Sequence, residues 1–226
     1  MRKSISVSAA VLLFAALAGA QETPRGEVFL GYEFVRFNSA TDVPAFSANG
    51  GGGQFTLNFT RWIGLVSDLG ATHNGNIGGY HLDTTFTNFL FGPRIPIRHW
   101  SRVTPYFQIL WGGVYGATSA QVQIPAGTPT NPIVIPPPVA VNPLNSSTSS
   151  TNANNFINLR AVHDQTAFAM TVGGGLDIKI NKIVSFRAIG LDYYLTRLQN
   201  LRTAQDNNQH NIRITTGVNF TFGGAQ

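Results

Sequence analysis

The sequence predicts an all-β fold: an eight-stranded antiparallel up-and-down transmembrane β-barrel. Three observations carry that prediction. Eight segments alternate apolar with polar residues at period two, the spacing of a strand with one greasy face. Charged residues make up only 11% of the chain, against roughly 25% in soluble domains, while Phe alone numbers 16. Past residue 20, no stretch approaches the ~18 uninterrupted apolar residues of a spanning helix, so a membrane crossing falls to strands.

The first element is a leader. Arg2 and Lys3 precede "ISVSAAVLLFAALAGA", which closes on the small triplet Ala18-Gly19-Ala20. A charged start, a short apolar core and an A-x-A-like site read as a signal peptide over 1–20, cleaved after Ala20. An uncleaved anchor is the alternative, but the run is short for the ~20 residues that span a bilayer. Residues 21–226 are then one barrel domain. With no cysteine in the sequence, neither a disulfide nor a lipidated N-terminal cysteine is available. Removing Arg2 and Lys3 leaves 13 basic against 10 acidic residues, a net charge of about +3. Such a weak, scattered excess argues against a nucleic-acid partner.

The strand segments follow in order. "EVFLGYEFVRF" (27–37), "GQFTLNFTRW" (53–62), "GLVSDLGATH" (64–73) and "TTFTNFLFGPRIPI" (84–97) come first. "TPYFQILWGGVYGA" (104–117), "AFAMTVGGGLDIKI" (167–180), "VSFRAIGLDYYLTR" (184–197) and "NIRITTGVNFTF" (211–222) complete the set. Each reaches the about 9–11 residues a tilted membrane strand needs. The links after the second, fourth and sixth are brief (61–63, 98–103, 181–183). The others, at 38–52, 74–83, 118–166 and 198–210, are long and rich in Gly, Asn, Ser, Thr and Pro. Short turns at one end and long loops at the other place the loops outside the cell and the molecule in a bacterial outer membrane. The span 118–166 stands apart, because its proline density favours polyproline II and argues against a regular ladder. It reads as a long mobile extracellular loop, or as a binding tip whose ligand nothing in the sequence names. "NGGGG" (49–53) reads as a loop entering a strand, with no helix behind it to form a phosphate cradle.

Orientation follows from bulk. Phe55, Leu57 and Phe59 share one face; so do Phe107, Ile109, Trp111 and Tyr115, and Phe168, Met170, Val172, Leu176 and Ile178. The opposite faces carry Gly, Thr, Asn, Gln and Ala. Eight strands enclose room only for side chains or one small ligand, and the aromatic faces would overfill it. The rings therefore face lipid and the small polar residues face the lumen. A soluble lipocalin-like carrier is the reverse arrangement.

On this parity Glu33, Asp68, Arg94, Asp177, Lys179, Asp192 and Arg213 point inward as a lumen polar network. Isolated ions in a dry lumen are costly, so they must compensate one another. Arg94 and Arg213 are expected to bridge some of Glu33, Asp68 and Asp192. The network acts either as a plug that fixes register or as a gate along a narrow ion path. Arg187, five residues from Asp192, falls on the lipid face, where it snorkels to the interface or is turned in by a bulge. Trp62, Trp100, Phe186 and Phe222 suit a periplasmic aromatic girdle, and Tyr193, Tyr115 and Phe37 the other rim.

The segments "FLFGPRIPIRHWSRVTPYFQILWGG" (89–113), "GGGLDIKINKIVSFRAIGLDYYLTR" (173–197) and "NIRITTGVNFTFG" (211–223) resemble the outer-membrane β-barrel domain family, the small OmpA/OmpX-like eight-stranded porin-type proteins. The resemblance spans most of 26–223. It implies that the barrel-assembly machinery reads the outward residues of the last strand, with Val218, Phe220 and Phe222 as the C-terminal insertion signal.

An enzyme is not expected. His73, His81, His163 and His210 map to the loop end, where His81 with Asp83 or His163 with Asp164 are the nearest acid/base pairs, but adjacent residues on a strand face opposite ways. Neither G-x-S-x-G nor H-E-x-x-H occurs. No cofactor or metal is implied. The expected partners are outer-membrane lipid, the assembly machinery and an extracellular ligand. The expected role is structural or surface-interacting on a largely plugged barrel, with a narrow passive porin as the alternative.

Overall fold

The computed structural model describes residues 24–38, 45–77, 82–125, 140–141, 156–199 and 208–223. Residues 1–20, the expected signal peptide, lie outside them. The described strands are β1 (Gly26–Phe37), β2 (Phe46–Asn58), β3 (Gly64–Asn74), β4 (Leu82–Pro96), β5 (Val103–Pro125), β6 (Ala140–Val141), β7 (Phe156–Lys179), β8 (Val184–Thr196) and β9 (Gln209–Phe222). Every neighbouring pair is antiparallel, in the order β5-β4-β3-β2-β1-β9-β8-β7, and β5 pairs with β7 to close the ring. Eight strands form the barrel. The ninth, β6, is a two-residue strand laid against the outer part of β7, Ala140 opposite Val162 and Val141 opposite Ala161.

Two expectations about loops are corrected. β5 and β7 run on into the span read as loop 118–166, in continuous register from Val103↔Ile178 to Pro125↔Phe156. β4 leaves β5 at Leu82↔Ala120, and β8 leaves β7 at Ala169↔Thr196. Residues 121–125 and 156–160 therefore project beyond both β4 and β8 as a two-stranded ribbon. The alternation there is short, Val122 and Ile124 on one arm opposite Leu159 and Ile157 on the other, and it borders the proline-dense run that reads as loop. The proline-dense remainder, apart from β6, lies outside the described residues.

The second correction concerns 49–53. Those glycines lie inside β2, with Gly50 opposite Glu33 on β1 and Thr72 on β3. Glycine has no side chain to alternate, which hid the strand. At Gly50 a Cβ would sit 1.8 Å from the Ala71 carbonyl oxygen, so the two backbones need the bare position.

The turns at the other end are short and locally satisfied. Thr60 Oγ1 accepts from the amides of Trp62 and Ile63 at 3.2 and 3.0 Å. Asn181 Oδ1 accepts from those of Ile183 and Val184 at 2.8 and 2.7 Å, an Asx turn.

The outer wall carries Leu30, Leu69, Phe89, Trp111, Ile189 and Tyr193, each at least two-fifths exposed. Trp62, Trp100, Phe186 and Phe222 are exposed toward the short-turn end. A carrier with the rings inside is not what this chain builds. Phe37, however, does not join the outer rim. It shares the parity of Glu33, and is 2% exposed within an apolar cluster inside the barrel. There it stacks on Phe46 at 5.0 Å and meets Phe86 at 4.5 Å between ring centroids. Val35, Leu90, Val114, Tyr194 and Leu198 pack with them. Phe37 ends β1 and Phe46 begins β2, so these rings sit toward the long-loop end of the lumen.

The orientation is testable on the outer wall. Leu30 is 58% exposed in mid-strand. Leu30→Arg is expected to destabilise the barrel in vesicles by about 2–4 kcal/mol, the cost of Arg on a lipid face near the midplane. Urea unfolding followed by tryptophan fluorescence reads it; a change near zero would place Leu30 in water.

Candidate functional site: the barrel lumen

Below the apolar cluster the lumen is ionic, and its centre is Arg213. The ladder sets Arg213 on β9 directly opposite Asp192 on β8. Its Nη2 and Nε donate to Asp192 Oδ2 at 2.8 and 3.0 Å. Across the lumen Nη1 and Nη2 donate to the two oxygens of Asp68 on β3, at 3.1 and 3.2 Å. Glu33 on β1 stands 3.8 Å from Nη1. The guanidinium is fully buried, and Glu33, Asp68 and Asp192 are each no more than 3% exposed.

Arg94 differs from the expectation that it would bridge carboxylates. Among the described residues its donors go to neutral oxygens: Gln54 Oε1 at 2.5 Å, Gln108 Oε1 at 2.8 and 3.2 Å, and Thr56 Oγ1 at 3.4 Å. The glutamines pass the charge on, Gln54 donating to Asp68 at 2.6 Å and Gln108 to Asp192 at 3.3 Å. Asn88 gives Asp68 a further donor at 2.7 Å. A count of charges alone overlooks these amides, because a glutamine carries none.

Arg187 overturns the snorkelling reading. It is fully buried, pairs with Asp177 at 3.0 Å and donates to Gln54 Oε1 at 2.7 Å. Its guanidinium lies 3.9 Å from the Phe29 ring centroid and 4.6 Å from that of Tyr106. A bulge in β8 between Arg187 and Gly190, which shifts the register against both β7 and β9, turns the side chain inward. The odd spacing between Arg187 and Asp192 was the available signal.

Glu27 shares the parity of Glu33 yet went unread. It pairs with Arg98 at 2.7 Å and accepts from Asn58 and Asn219 at 2.8 and 3.0 Å. Lys179 is exposed at the short-turn mouth, apart from the buried network. Glu33 Oε1 accepts no hydrogen bond. The carboxylate occupies space left by two glycines: a Cβ at Gly70 would lie 2.3 Å from its Oε2, and one at Gly52 2.9 Å.

Chemically the arrangement is dense rather than open. The gap beside Glu33, Gln54, Asp68 and Thr215 encloses about 10 Å³, room for roughly one water. At the opposite rim His73 lies 3.8 Å from Asp83 and 3.2 Å from Thr85 Oγ1. These groups stand exposed on the outer face. His81 is outside the described residues, Asp164 accepts from Tyr115 at 3.2 Å, and Tyr193 bonds His210. No His, Cys, Asp or Glu group among the described residues is arranged to hold a metal ion. On β9, Val218, Phe220 and Phe222 all lie on the outward face, with both phenyl rings exposed.

The family model described as the outer membrane protein beta-barrel domain matches residues 6–222. Among solved structures the chain is similar to Ail, the attachment invasion locus protein of Yersinia pestis, with 12% identity, a TM-score of 0.51, and 88% of this chain and 99% of that one covered. It is also similar to neisserial surface protein A, with 10% identity, a TM-score of 0.54, and coverage of 87% and 97%. At such identities the likeness is one of fold. A comparison with curated proteins finds no match.

The buried pairs predict unequal costs. Arg213→Ala strands three carboxylates and is expected to lose about 3–5 kcal/mol. Arg94→Ala strands neutral amides and is expected to lose about 1.5–3 kcal/mol. Urea midpoints in vesicles compare them, and Arg213→Ala with Asp192→Ala should cost less than the sum of the singles.

Proposed function

Because this chain belongs to the outer membrane protein β-barrel domain family, we propose that it resides in the bacterial outer membrane and serves there as a non-catalytic, structural or surface-interacting barrel. One observation carries the reading: above the short-turn mouth, the lumen is filled by side chains among the described residues. Arg213, Arg94 and Arg187 are locked with their partners in the lower part, and the Phe37–Phe46–Phe86 cluster fills the upper. An ion entering would have to displace a buried guanidinium from two carboxylates, a step costing several kcal/mol. The narrow-porin alternative lacks a comparable supporting observation.

Surface interaction is supported by the ribbon of β5 and β7, whose outer edges carry only the two-residue β6 among the described residues. Such edges accept an added strand, and in the outer membrane this end faces the medium. The outward Val218, Phe220 and Phe222 support reading by the barrel-assembly machinery, with outer-membrane lipid as the permanent partner.

The test joins two measurements on the full chain. Refolded into planar bilayers, the wild type is expected to give no stepwise conductance; stable open steps would overturn the closed-lumen reading. Cells displaying the protein, assayed on immobilised matrix proteins and glycans, are expected to lose adhesion when residues 121–160 are replaced by a Gly-Ser linker. Equal adhesion would remove the ribbon from the account.

A further inference from the structure

The short-turn end of the barrel opens into a vestibule of about 1170 Å³ that the lumen network does not fill. Its lining includes Arg98, Arg102, Thr104, Lys179, Lys182 and Asn219. Two carboxylates, Glu27 and Asp177, reach it, and each is already held by an arginine, Arg98 at 2.7 Å and Arg187 at 3.0 Å. Arg102, Lys179 and Lys182 remain, exposed and without an ion-pair partner among the described residues. The amide of Lys179 donates to the Arg102 carbonyl at 2.8 Å, which fixes two of the cations side by side. The turns at 59–63, 97–102 and 180–183 contain Arg61, Arg98, Arg102 and Lys182 and no Asp or Glu.

The floor also lacks something. Thr104 Oγ1 and Asn219 Oδ1 are buried against the vestibule and have no hydrogen-bond partner. Buried polar atoms of this kind call for a polar occupant. The lip is apolar: Ile183 and Phe222 line the same vestibule at 62% and 47% exposure. Cations within and hydrocarbon at the edge describe a site for an amphipathic anion, with the oxygens at the floor left to donors such as water.

We propose that this vestibule binds the phosphate headgroup of an anionic phospholipid from the inner leaflet, its acyl chains passing over Ile183 and Phe222. Arg102, Lys179 and Lys182 supply the charge, and ordered water joins the phosphate to Thr104 and Asn219. The assignment rests on the membrane reading above. The apolar lip favours a lipid over free phosphate, which would have no use for it.

The experiment places the full chain in nanodiscs of phosphatidylcholine with or without phosphatidylglycerol and counts retained lipids by native mass spectrometry. Wild type is expected to keep phosphatidylglycerol in preference to phosphatidylcholine. Lys182→Gln, in an exposed turn, should weaken that retention roughly fivefold, and the triple Arg102→Gln/Lys179→Gln/Lys182→Gln at least about tenfold, the scale of cations at an anionic surface. Equal retention by the variants, or no preference in the wild type, overturns the proposal. Displacement of the lipid by millimolar inorganic phosphate would also overturn it, by assigning a soluble anion site. Insertion into phosphatidylcholine alone, read by heat-modifiable gel migration, checks the membrane reading separately.

Discussion

Arg213 donates four hydrogen bonds to Asp68 and Asp192 from a position with no exposure to solvent. A guanidinium so placed is tolerable only with its partners in reach, and removing either side leaves a buried charge uncompensated. Asp192 and Arg213 face each other on adjacent strands, whereas Asp68 approaches from the far wall. The contact therefore constrains two registers and the closure of the barrel at once. A slip of one residue on β9 would point Arg213 at lipid and Ile212 or Ile214 into the ions.

The other lumen groups are arranged around that centre. Gln54 and Gln108 connect Arg94 to the same two aspartates, and Gln54 also receives Arg187. One amide thus serves three charged groups. Gly52 and Gly70 leave the volume into which Glu33 fits. Above this layer the ring cluster of Phe37, Phe46 and Phe86 needs no partners beyond contact, so ions and rings separate along the barrel axis instead of mixing. Polar groups that bond one another and apolar groups that bond nothing each minimise their cost by segregating.

The two ends differ accordingly. At the long-loop end β5 and β7 extend past β4 and β8; at the short-turn end the backbone folds back within a few residues and gathers cations. The outer wall between them is mainly apolar, with Leu, Ile, Phe, Trp and Tyr exposed along it. A barrel with a filled lumen has only its wall and its two ends with which to meet other molecules, and these ends are chemically distinct.

By itself the sequence determined the strand number, the alternation of short and long links, the lipid-facing parity and the inward placement of Glu33, Asp68, Arg94, Asp177, Asp192 and Arg213. These are period-two properties, fixed by the pleat and visible without partners. Tertiary structure alone decided the rest. Arg187 turns inward because a bulge in β8 breaks the period, and Arg94 bonds glutamines because those are what the facing strands bring within reach. The glycines of β2 join the sheet because its ladder sets them against β1 and β3, and the ribbon of β5 and β7 continues because the two strands keep register with each other past β4 and β8. Alternation records which side of a wall a residue occupies; it does not record who stands opposite once the wall is closed.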